Sequence, residues 1–276
     1  MDITNRNFFR VLSQGAFEQD EDLEPLSGFK WNKILQIAES QNVMTYISKG
    51  LVAHRYDEAV RLTDDVWEIV EKAASEQQQD VWNTTLSILQ QEPKPANFYL
   101  KYKYNRILHK DNKSEDSSIC TQQLLTIIVN NINLMLTTGI PLRGIVDMGI
   151  FLRQRGDKVD FVRLEQWLHQ LGFVRMASLM GTVLIGFFGF NMEEMPFMTR
   201  EEHEGTRLAE RTLTENAQDN AENWHFRMRT NGMVENNSRV LRRNLRRSLR
   251  YVRYNPVETV SNFMANFARS LSEIEE

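Results

Sequence analysis

The chain has 276 residues, of which 41% are apolar, so it is long enough for one large domain or two smaller ones and can bury a proper core. Its single cysteine, Cys120, excludes an intramolecular disulfide and a zinc site made of cysteines, and it suits a reducing compartment. The net charge of −4 hides an asymmetry, because seven arginines fall between Arg239 and Arg253 and the remainder is distinctly acidic.

The sequence predicts neither secretion nor a membrane span. The first residues lack the basic stretch and apolar core of a signal peptide, so we expect a cytoplasmic protein. The uncharged stretch 176–192 is too short and too polar to cross a bilayer, and it predicts a buried core helix.

The first part of the chain shows helical spacing of its apolar residues. It predicts a short helix that ends near Gly15, a second helix around residues 31–38 and a third over 43–53. Thr63 is a suitable N-cap for a long helix over 63–91. That helix must end before Pro93 and Pro95, because proline lacks the amide donor that a helix interior needs.

The middle of the chain begins with the tyrosine-rich stretch 97–104, the one segment that could be a strand, and continues with a polar loop over 110–118. Helix-ending and helix-capping residues then predict three helices, over 119–138, 142–155 and 160–172. Because their linkers are short, neighbouring helices should pack antiparallel.

The C-terminal part carries the capping-box spacing Thr199 to Glu202, which predicts the start of another helix. Residues 216–237 are rich in asparagine and predict irregular structure. Ser238 then begins an arginine-rich helix that must break at Asn255 and Pro256, and a final helix follows. We expect the apolar side of this arm to pack against this chain or a second copy, through Leu241, Leu245, Leu249, Phe263 and Phe267.

Together these elements predict an all-α fold, a multi-helix bundle with short linkers and a C-terminal helix-turn-helix arm. The predicted regions are an N-terminal helical region (1–92), a linker (93–118), a helical bundle (119–198) and the C-terminal arm (199–276). The residues predicted to be buried are Trp67, Ile145, Leu152, Trp167, Leu184 and Phe187.

No pattern in the sequence predicts a catalytic, cofactor-binding or metal-binding residue. The Asp20-Glu21-Asp22 run lies in an acidic stretch without a strand around it and predicts a solvated loop. His203 lies between glutamates in a predicted exposed first helical turn, which is a weak metal site. The glycines at 181, 186 and 189 lack the spacing of a phosphate loop, and no Gly-x-Ser-x-Gly elbow occurs.

The strongest functional candidates are the arginines of the predicted arm, which are set around an apolar line. They are Arg239, Arg242, Arg243, Arg246, Arg247, Arg250 and Arg253. Such a helix could pack on the acidic remainder of the chain or on a partner protein, bind the headgroups of an anionic membrane, or bind the phosphates of nucleic acid.

Several short motifs share one order along the chain. They are residues 8–12 and 31–43 near the front, 121–125 and 138–152 in the middle, 158–161, 171–173 and 188–190 with Pro196 downstream, and the arginine-rich segment with Asn255-Pro256 at the end. In this order they resemble the N-terminal and C-terminal helical parts of a poorly characterised bacterial nucleotidyltransferase-like family.

The resemblance implies a mixed α/β catalytic core between these two parts, with a Lys-Gly turn and a Gly-Asp-Ile-Asp-Leu metal-binding strand. Residues 93–118 occupy that interval and are too few for a sheet with crossover helices. No position matches the catalytic motif, so no catalytic residue and no cofactor carry over.

We therefore expect a non-catalytic relative of that family, a binding or regulatory module with an unknown protein partner or with self-association. One alternative is a nucleotidyltransferase whose core is unrecognised. Another is a peripheral binder of anionic membrane or nucleic acid that uses the segment from Arg239 to Arg253.

Overall fold

The computed structural model describes residues 1–75, 93–110, 116–215, 245–246 and 248–272. Within these ranges the chain forms helices and no strand, which confirms the predicted all-α fold. Predictions for 76–92 and for 216–244, including the end of the long helix and the start of the arginine-rich helix, lie outside the described residues.

The N-terminal helices pack closely on one another. They are α1 (Ile3–Phe17), α2 (Gly28–Ser40), α3 (Met44–Ala53) and α4, which is described over 64–75. Helix α1 ends two residues after Gly15, close to the predicted end, and a Cβ at Gly15 would overlap the Tyr46 carbonyl oxygen on α3. Gly15 therefore allows α1 and α3 to approach, and the helix ends where Glu18 turns left-handed at φ 58°.

The middle helices are α5 (Phe98–Lys110), α6 (Asp116–Thr138), α7 (Leu142–Arg155), α8 (Phe161–Leu171) and α9 (Val174–Phe188). The possibility that residues 97–104 form a strand is wrong. The Asn97 side chain accepts hydrogen bonds from the backbone amides of Tyr99 and Leu100 and so caps α5. Leu100, Tyr104 and Ile107 then recur at helical spacing on its buried side.

The predicted helix ends are confirmed for α7 and nearly so for α6 and α8. Gly139 follows α6 at φ 97° and Gly172 follows α8 at φ 70°, conformations that glycine adopts without strain. Asp160 caps α8 by accepting a hydrogen bond from the Arg163 amide at 2.9 Å. Helix α6 begins at Asp116, three residues before the predicted start.

The C-terminal helices are α10 (205–215), α11 (245, 246 and 248–251) and α12 (Pro256–Ser272). The capping box predicted at Thr199 is wrong, since α10 begins only at Gly205. Glu202 instead binds Arg175 and Arg200 through its carboxylate, and its amide donates to Thr182. The predicted break at Asn255 and the first helical position of Pro256 are confirmed.

Buried apolar side chains of α1 to α3 and of α6 to α9 belong to one hydrophobic core. Five of the residues predicted to be buried are buried, namely Trp67, Ile145, Leu152, Trp167 and Leu184. Phe187 is only half-buried, and its ring stacks on Phe9 with centroids 3.7 Å apart.

One helix in the described ranges is long and apolar enough to cross a membrane by composition alone. It is the Ile119–Thr138 part of α6, with a mean hydropathy of 1.3, and 67% of it is buried inside the protein. That burial is typical of a core helix. The uncharged stretch predicted as a core helix is largely α9, which is shorter and mostly buried.

Candidate interaction surface

The arginines predicted as contact residues fall into two groups. Arg246 is exposed on α11, Arg250 is half-buried there and Arg253 follows in the turn, whereas the others lie outside the described residues: Arg239, Arg242, Arg243 and Arg247. Whether this set binds an anion or a partner remains a prediction.

Two of the described arginines bind carboxylates of the same chain. The Arg250 guanidinium donates two hydrogen bonds to Glu215 at the end of α10, at 2.8 and 2.7 Å, and Glu215 also accepts one from Arg211. Arg253 pairs with Glu204 and donates to the Tyr254 hydroxyl at 2.8 Å. These contacts favour the packing alternative for Arg250 and Arg253, since both heads are already paired.

The apolar residues beside these arginines do not behave as expected. Leu245 is 36% exposed and Leu249 is 58% exposed, so of the two predicted alternatives, packing against this chain or a second copy, the first is wrong for both residues. Leu241 lies outside the described residues. The side chains of α11 and the following turn that are buried are Ser248, Tyr251 and Tyr254, and the Ser248 hydroxyl donates to the Leu136 carbonyl on α6.

Helix α12 lies on the protein through polar residues. Asn255, Glu258, Thr259 and Asn262 are all buried, and they share one side of the helix by their spacing. The Asn255 side-chain amide donates to the Gly172 carbonyl at the end of α8, at 3.0 Å. The Asn255 oxygen accepts from the Glu258 amide and so caps α12.

Glu258 holds α12 against the start of α5. Its carboxylate accepts hydrogen bonds from the backbone amides of Ala96 and Asn97, and the Asn97 side chain donates to the Ser261 hydroxyl at 3.0 Å. Burial raises the pKa of the Glu258 carboxyl above its ordinary value, and the two amide donors oppose part of that rise. A carboxylate at this place also faces the positive end of α5.

The opposite side of α12 is apolar and lies in water. Val257 is 53% exposed, Val260 is 56% exposed and Met264 is 57% exposed, and the half-buried Phe267 continues their spacing of three and four residues. We call Val257, Val260, Met264 and Phe267 the α12 stripe. Phe263 flanks it, half-buried, with its ring stacked on that of Phe267. This arrangement reverses the usual orientation of a surface helix, whose apolar side faces the core.

A second exposed surface lies on α5. Phe98, Tyr99 and Tyr102 are exposed, and Lys101 and Arg106 are exposed between and beyond them. No acidic residue occurs in the α5 sequence. The surface is therefore both aromatic and basic in a chain that is acidic outside its arginine-rich segment.

A buried polar network joins α3 to α7. The Tyr46 hydroxyl donates to Asp147 at 2.9 Å, and the Arg143 Nε donates to both carboxylate oxygens at 3.0 Å. Burial raises the pKa of Asp147, while Arg143 acts in the opposite direction. Because each polar group is paired inside the protein, this network holds two helices together and leaves no free group for chemistry.

The candidate metal-binding residues do not come together in the structure. Asp20, Asp22 and His203 are exposed, with the two aspartates in a loop. In the described part of the chain no group of three or more His, Cys, Asp or Glu side chains is placed to hold a metal ion.

Comparison with known proteins identifies no relative. No family model, no curated protein and no solved structure matches this chain. The candidate surfaces therefore rest on the geometry of this chain alone.

Sequence reasoning missed the α5 surface and gave the α12 surface only in part, since it expected Phe263 and Phe267 to pack against this chain or a second copy. The spacing of 257, 260, 264 and 267 marks an apolar stripe, but not the side on which the helix docks. The sequence leaves open a strand for the aromatic and basic residues of α5, and a strand would place neighbouring side chains on opposite faces.

Proposed function

We propose that this chain is a non-catalytic helical binding module, and that the α12 stripe is its contact surface for another protein chain. The observation that carries the proposal is the orientation of α12, which buries polar residues and exposes Val257, Val260 and Met264. Apolar area left in water forgoes roughly 25 cal/mol per Å², so a stripe of this kind is stabilised by a covering partner.

We propose further that the chain is a relative of the nucleotidyltransferase-like family that it resembles, without that family's catalytic core. The order of the shared short motifs supports this. A cytoplasmic location is also part of the proposal, supported by a single buried, unpaired cysteine at position 120 and by the packing of α6 inside the protein.

Site-specific photo-crosslinking in living cells tests whether the stripe is an interface. Met264 is replaced by a photoreactive phenylalanine analogue in the full chain, and the adducts are identified by mass. We expect a protein adduct that is lost when Val260→Asp is added, because a charge on the stripe opposes burial.

The matched control places the same photoreactive group at Leu249, which is equally exposed but lies outside the stripe. Crosslinking at both positions alike, or at neither, contradicts the proposal. The isolated Val260→Asp variant should keep wild-type stability within about 0.5 kcal/mol, since the substitution is on the surface.

A second candidate is binding to an anionic membrane, and the observation that favours it is the exposed aromatic and basic side of α5. A helix that exposes Phe98, Tyr99 and Tyr102 beside lysine and arginine has the chemistry of an interfacial helix. Two arginines of the arm, by contrast, are paired within the chain.

Sedimentation with phosphatidylserine vesicles tests this candidate. Lys101→Glu with Arg106→Glu should weaken binding at least about tenfold, because each basic residue near the surface contributes about 1 kcal/mol. Lys30→Glu with Lys33→Glu makes the same charge change on the exposed side of α2 and should have a smaller effect. An equal loss of vesicle binding in both variants would mean that only the net charge of the chain matters, and it would contradict a membrane site on α5.

A further inference from the structure

We infer that the occupant of the α12 stripe is the α12 of a second copy of this chain, paired antiparallel about Met264. This inference rests on the proposed function, since it names the partner of the same surface. It makes the protein a symmetric dimer in which each copy offers an identical helix.

The spacing of the stripe is that of helices that pair. Residues 257, 260, 264 and 267 alternate three-residue and four-residue steps, and Leu271 continues the same spacing in the sequence. Helix α12 runs from Pro256 to Ser272, so all these positions belong to one unbroken helix. A pair of such helices meets along a narrow apolar seam.

The sizes of the residues select a second copy in the antiparallel direction. About a two-fold axis at Met264, Val257 of one helix lies opposite position 271 of the other, a leucine. The smaller Val260 lies opposite position 268, one residue from the larger Phe267. Alternating small and large residues fill such a seam evenly. In a parallel pair, Phe267 would face Phe267 and valine would face valine, which alternates crowding with gaps.

The charges of α12 also permit self-association. Between residues 257 and 268 the sequence holds a single charged residue, Glu258, and its side chain is buried on the opposite side of the helix. The residues on one flank of the stripe are small and uncharged, namely Ser261, Ala265 and Ala268, and Phe263 on the other flank is also uncharged. Two identical copies would therefore bring no like charges together at the seam, which removes the usual obstacle to a homodimer.

The neighbouring start of α5 adds area to the interface. A helix of 17 residues is about 25 Å long, so a helix pair alone falls at the low end of stable interface sizes, near 1,200 Å² in total. Asn97 binds Ser261 beside the stripe, and the next residue, Phe98, is exposed. An aromatic side chain at this edge extends the apolar surface that a second copy covers.

Sedimentation velocity of the full chain over a range of concentrations tests the dimer. We expect a species of twice the 32.4 kDa monomer mass, and a dissociation constant at least about 100-fold weaker in the Val260→Asp/Met264→Asp variant, because each copy would bury unpaired carboxylates. Leu249→Asp, outside the stripe, should leave the dimer intact. A wild-type monomer at every concentration, or equal loss in both variants, overturns the inference.

Cysteine pairing tests the direction of the helices. Since the native Cys120 is buried, new surface cysteines report on the interface. Under mild oxidation Met264→Cys should form a covalent dimer, and so should the double variant Val257→Cys/Leu271→Cys, whereas Val257→Cys alone should not. Efficient pairing of Val257→Cys alone would mean a parallel dimer and would overturn the antiparallel arrangement.

The crosslinking described above separates this inference from the proposed function. Adducts at position 264 that contain two copies of this chain agree with the dimer. Adducts that contain only a different protein would overturn the dimer and leave the binding module standing. Absence of any adduct would count against both.

Discussion

Glu258 is a single side chain that decides which side of α12 is covered. Its carboxylate satisfies two backbone amides at the start of α5, so turning α12 to bury its apolar side would leave those amides and a carboxylate without partners. A buried unsatisfied polar group costs about 1–3 kcal/mol, and a charged one costs more. The polar side therefore stays inward, and the valines and Met264 remain outside.

The titration of Glu258 gives a first prediction at this scale. Burial raises its pKa in the folded protein above the ordinary value of 4.5, so the folded state binds this proton more tightly than the unfolded chain does. The contribution of Glu258 to the free energy of unfolding is therefore largest below pH 4.5, and it falls as the pH rises through the folded pKa.

Glu258→Gln removes this titration. The difference in unfolding free energy between wild type and variant, measured by urea denaturation from pH 4 upward, should shift against the wild type as the pH rises. At any single pH, the difference in unfolding free energy also includes the loss of an acceptor for the backbone amides. The slope of that difference against pH is therefore the quantity that tests the prediction. A difference that is flat with pH, or that changes in favour of the wild type, would contradict the raised pKa.

Asp147 gives a second prediction. Asp147→Ala leaves Arg143 and the Tyr46 hydroxyl without their shared acceptor between α3 and α7. Removing one partner of a buried ion pair costs about 3–5 kcal/mol, so the variant should be strongly destabilised in denaturant titrations.

Tyr46→Phe is the matched comparison, since it removes one hydrogen bond to Asp147 and keeps the ion pair. We expect a loss of about 1 kcal/mol for it. If the two variants lost equal stability, the ion pair with Arg143 would contribute nothing beyond the tyrosine contact.

At the scale of the helices, the sequence predicts those elements whose ends are marked by local chemistry. The starts and ends of α7 and α8 follow from Pro141, Asp160 and Gly172, whose caps and turns involve residues three or four positions away. The same local signals fail where a distant residue intervenes. Glu202 has capping-box spacing, yet it binds Arg175 on α9 at 2.8 Å, so α10 begins later.

The local sequence pattern does not predict which side of α12 is buried, or that α5 is a helix, for the same reason. Spacing alone predicts a final helix from Pro256 with an apolar side, and it leaves open whether that side packs on this chain or on a second copy. The contact that decides the orientation joins Glu258 to Ala96, which is 162 residues away. The candidate surface could therefore be named only once these two segments were seen together.

The crossing of α1 and α3 carries a third prediction. Gly15→Ala would place a methyl group against the backbone of Tyr46, which cannot move as the end of a flexible side chain can. Overpacking of this kind costs about 1–3 kcal/mol, so the melting temperature should fall.

Gly156→Ala is the control for this change. Gly156 follows α7 in a helical conformation, at φ −60°, and a methyl group there meets one atom, at 4.0 Å. We expect no loss, or a gain of about 0.4–1 kcal/mol from the stiffer unfolded chain. Equal effects at both glycines would show that close packing at Gly15 has no special role.

For the molecule as a whole, the fourth prediction distinguishes a non-catalytic binding module from a nucleotidyltransferase. Nucleoside triphosphate with magnesium should give neither turnover nor thermal stabilisation. A ligand at 100 times its dissociation constant would add about 2.7 kcal/mol, which thermal unfolding detects. A rise in melting temperature that needs both nucleotide and magnesium would instead favour the enzyme alternative. The control is the melting temperature with magnesium alone.

The contact between α12 and α5 also sets an order of events while the chain is being made. At about 5–20 residues per second, the ribosome needs roughly 8 to 30 s to add the 162 residues that separate Ala96 from Glu258. During that interval the first turn of α5 must leave its amides to water, and α12 does not yet exist. The apolar stripe is thus made after α1 to α9, when the core that those helices form can already be in place. Helix α12 therefore docks on a surface that can already be folded.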